Sequence, residues 1–98
     1  MMRPILHSDV IAAARAVLAA PVALRASTCA RLIQEADWAD RFTRRLGKPH
    51  PHWGNGTLLA AAQRYKRAAE PTFDDPAYCS AFEMVMSQLA GQKQRGDL

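Results

Sequence analysis

The spacing of apolar residues between Cys29 and Leu46 constrains this chain more than any other feature. Cys29, Leu32, Ile33, Ala36, Ala39, Phe42 and Leu46 step by threes and fours, which lays them along one side of an α-helix and on no single face of a strand. Gly47 follows the last of them, and glycine readily takes the left-handed conformation of a helix C-terminal cap. The spacing predicts one long helix, Val22 to Leu46, that must bury this stripe against other elements. On its other side Asp37 precedes Arg41 and Asp40 precedes Arg44 by four residues, the favourable order for helical ion pairs. Much of the basic charge of this helix is therefore balanced locally.

Three more helices follow from period and punctuation. Ser8 supplies an N-cap and Asp9 a first-turn acid before Val10, Ile11, Ala14, Val17 and Leu18 repeat at helical spacing, which predicts a first helix from Ser8 to Ala20. Pro21 cannot continue a helix but suits a first turn, so it ends one helix and starts the next as a tight hairpin. Leu58, Leu59, Ala62 and Tyr65 signal a third helix after Gly56 and Thr57, which fades through QRYKRAAEP and stops by Pro71. The fourth has Asp75 as N-cap and Pro76 at its first position, with Tyr78, Cys79, Phe82, Val85, Met86 and Leu89 on one face and Gly91 at the stop. Residues 92–98 read as a frayed tail.

Apart from a few residues around Ile5, no alternating apolar and polar run of strand type appears. The expectation is an all-α fold, a small four-helix bundle whose Pro/Gly-rich loop joins helices two and three. A chain of 98 residues leaves no room for a catalytic domain beside a binding domain, so residues 1–98 form a single helical domain. The 49% apolar and 22% charged composition is that of a folded protein.

Charge and cysteine usage narrow the setting. A net charge of +4 gives mild attraction to nucleic acid or anionic lipid, yet dedicated nucleic-acid binders carry a denser basic face. Cys29 and Cys79 make neither a CxxC pair nor a zinc spacing, so reduced thiols in a cytoplasmic protein are expected. The run IAAARAVLAAPVAL is too short to span a bilayer and holds Arg15 and Pro21. Asp9 and Arg15 also argue against an export signal, and no membrane association is expected.

The stretch HPHWGNGT, His50 to Thr57, is the least ordinary in the chain, and it supports three readings. Pro49 and Pro51 favour extended geometry, which would set His50 and His52 on one side as half of a metal site. Structural zinc needs four ligands and catalytic zinc three plus water. The remaining ligand types are His7, the two cysteines and scattered carboxylates, so no metal or cofactor is expected and His50 and His52 stand only as weak candidates. The second reading is nucleic-acid contact: residues 41–67 hold Arg41, Arg44, Arg45, Lys48, Arg64, Lys66 and Arg67 with no acid, plus Trp53 and Tyr65 as stacking rings. Glu70, Asp74 and Asp75 follow directly, and a solvated face is the plainer account of such bases. The third, favoured here, makes Trp53 an anchor in the groove between helices, with Gly54, Asn55 and Gly56 turning the chain and Asn55 or Thr57 capping helix three. GNGT lacks the length and lysine of a phosphate loop.

The other chemical candidates have structural readings as well. Cys29 and Cys79 lie on apolar stripes, where a free cysteine behaves as a small hydrophobe. Asp74 and Asp75 before Pro76 are the expected chemistry of a helix start, not an acid–base pair. Trp38 lies off the apolar line of its helix, next to Phe42 on a second face, and either another part of the chain covers it or it marks a partner surface; intramolecular cover is favoured.

The combination of HPHWGNGTLLAAA, FDDPAYC and the opening MRPILHSDVIAAAR resembles a small family of uncharacterised all-helical proteins from alphaproteobacteria, over most of the chain. The resemblance implies a bacterial cytosolic protein and carries no catalytic residue across. With no Ser-His-Asp set, metal cluster or phosphate loop, the expectation is a non-enzymatic interaction or regulatory adaptor. Its surface would comprise Trp38, Trp53, Arg41, Arg44, Arg45 and Lys48, and its partner would be another protein, a second copy of the chain included. The alternative is a nucleic-acid-binding protein that uses the basic segment 41–67.

Overall fold

Helix α1 (His7–Ala19) is rich in alanine, and its small side chains let neighbours approach from most directions. Ala12, Ala13, Ala14, Ala16 and Val17 are all buried, so α1 is enclosed on more of its circumference than a single stripe would require. The computed structural model describes residues 4–95, and within these the order is α1, a single 3₁₀ turn (Val22–Leu24), α2 (Arg25–Leu46), the short α3 (Leu58–Ala62) and α4 (Pro76–Arg95). No strand occurs among the described residues, and Ile5 lies in irregular chain. The fold is all-α with four helices, three long and one short, and α1 packs against each of the other three.

The helix ends show how local chemistry meets tertiary contact. At the start of α1 the cap is not the Ser8 hydroxyl: the helix begins one residue earlier, and the Leu6 N–H donates to Asp9 Oδ2 at 2.8 Å. The other oxygen of the same carboxylate, Oδ1, accepts from Leu59 N–H at 3.0 Å in the first turn of α3. Asp9 thus satisfies orphan amides at two helix starts, which is why a carboxylate is tolerated with only 4% of its surface exposed. At the other end of α1, Arg25 donates from Nη2 to Leu18 O at 3.0 Å and from Nε to Ala20 O at 3.1 Å. A cation is well placed at that end, where the last carbonyls are unsatisfied. Pro21 ends α1 as expected, but α2 proper starts at Arg25, after the 3₁₀ turn.

Helix α2 buries Cys29, Leu32, Ile33, Ala36 and Ala39 as the stripe predicts, whereas Phe42 is half-buried and Leu46 exposed, because the stripe outruns the core. Its end is the expected cap: Gly47 has φ 75° and its N–H bonds Thr43 O at 2.8 Å. Helix α3 is shorter than the sequence suggests. After Ala62 the chain tightens into i−3 bonds, Arg64 N–H to Ala61 O and Tyr65 N–H to Ala62 O. It then runs on as irregular backbone held to α1 by a reciprocal pair, Ala68 N–H to Arg15 O at 3.1 Å and Arg15 Nε to Ala68 O at 2.7 Å.

Asp75 caps α4 through Ala77 N–H at 2.9 Å, with Pro76 in the first turn where its missing N–H costs nothing. The buried face is Tyr78, Ala81, Val85 and Leu89, while Cys79 and Met86 point outward. The stripe is therefore rotated from the expected one by roughly half a residue's turn. Gly91 does not end the helix, which continues to Arg95; a helical glycine costs only about 1 kcal/mol, which neighbouring turns offset. The rest of the expected tail, residues 96–98, lies outside the described residues.

The two thiols differ in a way that can be measured. Cys29 and Cys79 form no disulfide, and Cys29 is fully buried while Cys79 is exposed, with Sγ 3.0 Å from Phe73 O. Burial pushes the Cys29 thiol from 9.0 up to about 11, because a thiolate in the core loses its hydration. Iodoacetamide at neutral pH will label Cys79 and reach Cys29 only on unfolding. Below pH 9 the thiol is protonated in both states and exerts no pH dependence. Between pH 9 and 11 only the unfolded chain ionises, so stability falls by about 2 to 3 kcal/mol across the window. Urea midpoints at pH 8 and 10.5 should diverge more for the native chain than for Cys29→Ala.

Candidate functional site

The loop after Gly47 is a compact hairpin built around one imidazole. His50 and Gly54 pair through both backbone groups, His50 N–H to Gly54 O at 2.8 Å and Gly54 N–H to His50 O at 3.1 Å. Inside that turn, His50 Nδ1 accepts from the backbone N–H groups of His52 at 3.0 Å and Trp53 at 3.1 Å. Nδ1 of His50 is thus committed to the fold of the loop. The rings of His50 and His52 are 5.9 Å apart and tilted, and among the described residues no three His, Cys, Asp or Glu side chains gather as a metal site.

Folding the loop this way decides where Trp53 goes. Its ring lies flat on His50, 4.4 Å between centroids and 7° between planes. It meets Trp38 of α2 at 5.4 Å and 34°. His50 in turn sets its edge against Phe42 at 4.8 Å. Trp53 is therefore half-buried on the outside of α2 and absent from the core, correcting the expectation of an anchor between helices. The physical reason is that Leu58, Ala61 and Ala62 of α3 already fill the space beside α1 and α2. Trp38 does receive intramolecular cover, from Trp53, yet 46% of its surface stays exposed.

Two turns fix the loop to its neighbours. Asn55 Oδ1 accepts from Thr57 N–H and Thr57 Oγ1–H, and Thr57 Oγ1 accepts from Ala60 N–H at 3.1 Å, the side-chain cap expected for α3. Gly56, at φ 100°, lies directly against the α2 backbone at Asp40.

The basic segment is divided by the fold. Arg41 pairs with Asp37 at 3.0 Å and Arg44 with Asp40 at 2.9 Å, as the spacing predicts, and both carboxylates are buried while both guanidinium groups stay largely exposed. Arg45 and Lys48 are exposed and make no ion pair among the described residues. Arg64, Lys66 and Arg67 sit on the irregular segment beyond α3, on a different element from the candidates on α2. Tyr65 is not a free stacking ring: its hydroxyl donates to Glu35 Oε1 at 2.7 Å and accepts from Arg31 Nε at 3.1 Å, with the Arg31 guanidinium 5.5 Å above its ring. Burial, reinforced by the bond to Glu35, pushes that hydroxyl above its ordinary range, so it stays a neutral donor.

Arg31 and Phe42 therefore join Trp38, Trp53, Arg41, Arg45 and Lys48 on this surface. The sequence contains a signal for Arg31: Arg31, Trp38 and Arg45 are spaced by seven, which sets them nearly in line along α2, about 10 Å apart at 1.5 Å rise per residue. These side chains are rings and guanidinium groups with no nucleophile–base pair among them, and the chemistry they offer is that of binding contacts.

A second exposed surface is mainly apolar, with His7 at its edge. An open groove of about 830 Å³ lies between the N-terminal arm and α4, lined mainly by Ile5, Leu6, Val10, Phe73, Phe82 and Met86. It is separate from the histidine loop and contains no carboxylate. No helix of the described residues is long and apolar enough to cross a membrane.

Comparison with known proteins gives one family. The model of a domain of unknown function, DUF7742, matches residues 3–89. The chain belongs to this family. The DUF7742 match spans Asp9, the whole of α2, the histidine loop and most of α4, so the aromatic surface lies inside the family domain. The family description names no enzyme activity. No curated protein and no solved structure matches the chain.

Proposed function

We propose that this DUF7742 protein is a non-enzymatic interaction protein, a small helical adaptor or regulator that docks another protein, a second copy of itself included, on the outer face of α2. One observation carries the reading: Trp38, 46% exposed, packs at a tilt against Trp53 outside the core and is flanked by arginines. A soluble helix gains nothing from leaving a tryptophan pair in water, whereas tryptophan and arginine are the side chains that dominate binding energy at protein interfaces. The resemblance to alphaproteobacterial proteins and the two unpaired thiols support a cytoplasmic setting.

Trp38→Ala and Trp53→Ala are the direct test. Both lie outside the core, so each variant should fold, and each should lose partners recovered by cross-linking from lysate of the source cell. Tightly packed interface tryptophans typically cost 2 kcal/mol or more, about thirtyfold in affinity, on truncation. Unchanged recovery from both variants would remove the reading.

Nucleic-acid binding through segment 41–67 is the competing proposal, supported by the exposed Arg45 and Lys48 beside an aromatic pair. It requires affinity that falls steeply with salt and with joint neutralisation of Arg44, Arg45 and Lys48. A gel-shift series without a shift at low salt eliminates it.

A further inference from the structure

Which chemistry would recognise this face follows from its charge pattern. Around Trp38 the helix presents Arg31 one heptad before and Arg45 one heptad after, with Arg41 beside them. The carboxylate on this face, Glu35, is already held by the Tyr65 hydroxyl and lies 4.0 Å from Arg31. The carboxylate of Asp37 is only 7% exposed and that of Asp40 1%, and each is paired with an arginine. What faces solvent is thus an aromatic centre between cations, with the acids turned inward. Arg31 is also held in place, by its bond to Tyr65 Oη and its position over that ring, which lowers the ordering cost of meeting an anion.

Resting on the interaction-protein reading above, we infer that the partner segment is an acidic amphipathic helix, with an apolar side chain on the Trp38–Trp53 pair and carboxylates seven residues to either side facing Arg31 and Arg45. Charge complementarity selects the acids. The heptad spacing on α2 selects a helix, since a helix laid alongside repeats its own groups at the same interval. Lys48 and Arg41 extend the positive field and speed encounter.

The protein's only two tryptophans are Trp38 and Trp53, so selectively excited tryptophan emission reports on this surface alone. The probe is a synthetic, tryptophan-free helical peptide with a central leucine and glutamates at the flanking heptad positions, titrated into the full chain at low and moderate salt. Its counterpart has glutamine at every glutamate, and a thymidine oligonucleotide of equal charge is a third ligand. The glutamate peptide should shift the emission to saturation, the glutamine peptide should not, and the Arg31→Gln/Arg45→Gln variant should weaken binding by about tenfold or more. Arg64→Gln/Arg67→Gln, an equal loss of charge elsewhere, should leave it intact.

The inference is overturned if the glutamate peptide leaves the emission unchanged, if the glutamine peptide binds as well, or if the oligonucleotide binds more tightly than either. The peptide comparison uses the native chain, so it decides even where a variant fails to fold. Should Trp38→Ala abolish partner recovery from lysate while the glutamate peptide does not bind, the acidic-helix assignment falls and the interaction reading stands.

Discussion

Replacing Gly56 with alanine should destabilise the protein by about 3 kcal/mol or more, among the largest effects of any single methyl group added to this chain. Two costs combine. Gly56 has φ 100°, a conformation that L side chains rarely adopt, and its added Cβ would lie 2.6 Å from Asp40 Cα and 2.7 Å from Asp40 Cβ. The obstruction is the backbone of α2, which cannot rotate aside as a side chain would. Gly47 is the internal control: it is also left-handed, at φ 75°, but a Cβ there would meet nothing within 4 Å. Gly47→Ala should therefore cost only about 1 kcal/mol, the intrinsic penalty of the left-handed region. Urea unfolding of the two variants measures the difference. Gly56→Ala should also red-shift tryptophan emission in the folded state, because a loop that cannot seat against Asp40 cannot hold Trp53 on Trp38. Equal costs for the two variants would refute the close approach.

Asp9→Ala should be comparably damaging, at about 3 kcal/mol, since each lost hydrogen bond to a charged acceptor costs about 1.5 kcal/mol or more when its donor is left without a partner. One carboxylate accepts from Leu6 N–H with one oxygen and Leu59 N–H with the other. The substitution leaves one amide without its acceptor at the start of α1 and another at the start of α3, where the Thr57 cap remains. Asp9→Asn separates the two bonds: one oxygen remains an acceptor, while the amide nitrogen opposes an N–H. It should fall between the native chain and alanine. Hydrogen exchange gives the more specific readout, with faster exchange at both helix starts, although they are far apart in sequence. Loss of protection in α1 alone would show that Asp9 does not bridge.

These two residues also mark how far sequence reasoning reaches. Asp9 is legible as a first-turn acid because the preference is local, involving amides within one turn. Its bond to Leu59 is not legible, since that contact exists only once α1 and α3 meet. The same division holds at the other helix ends. Gly47, Asp75, Pro76 and Thr57 act through neighbours in sequence and behave as their residue types dictate. Gly91, also expected to be a stop, is overridden, because α4 continues to Arg95.

The candidate surface is divided in the same way. Trp38, Arg41, Arg44, Arg45, Lys48 and Trp53 stand out by residue type, and the ion pairs of Arg41 and Arg44 follow from four-residue spacing. Trp53 on Trp38 does not follow, because an aromatic ring in a turn can face either the core or the solvent side of its neighbour. Competition for volume decides it: α3 fills the inner space, and the His50 turn holds Trp53 outside.

The sequence by itself determined the helical class, the starts of α3 and α4, the ends of α1 and α2, and the buried stripe of α2 as far as Ala39, because these depend on period and on hydrogen bonds within a turn or two. Only the tertiary structure decided which side of α4 is covered, that α3 ends after five residues, and that two tryptophans meet on an outer face. Those outcomes depend on which surfaces reach each other and how much volume remains between them, and neither quantity is written in the spacing of any one segment.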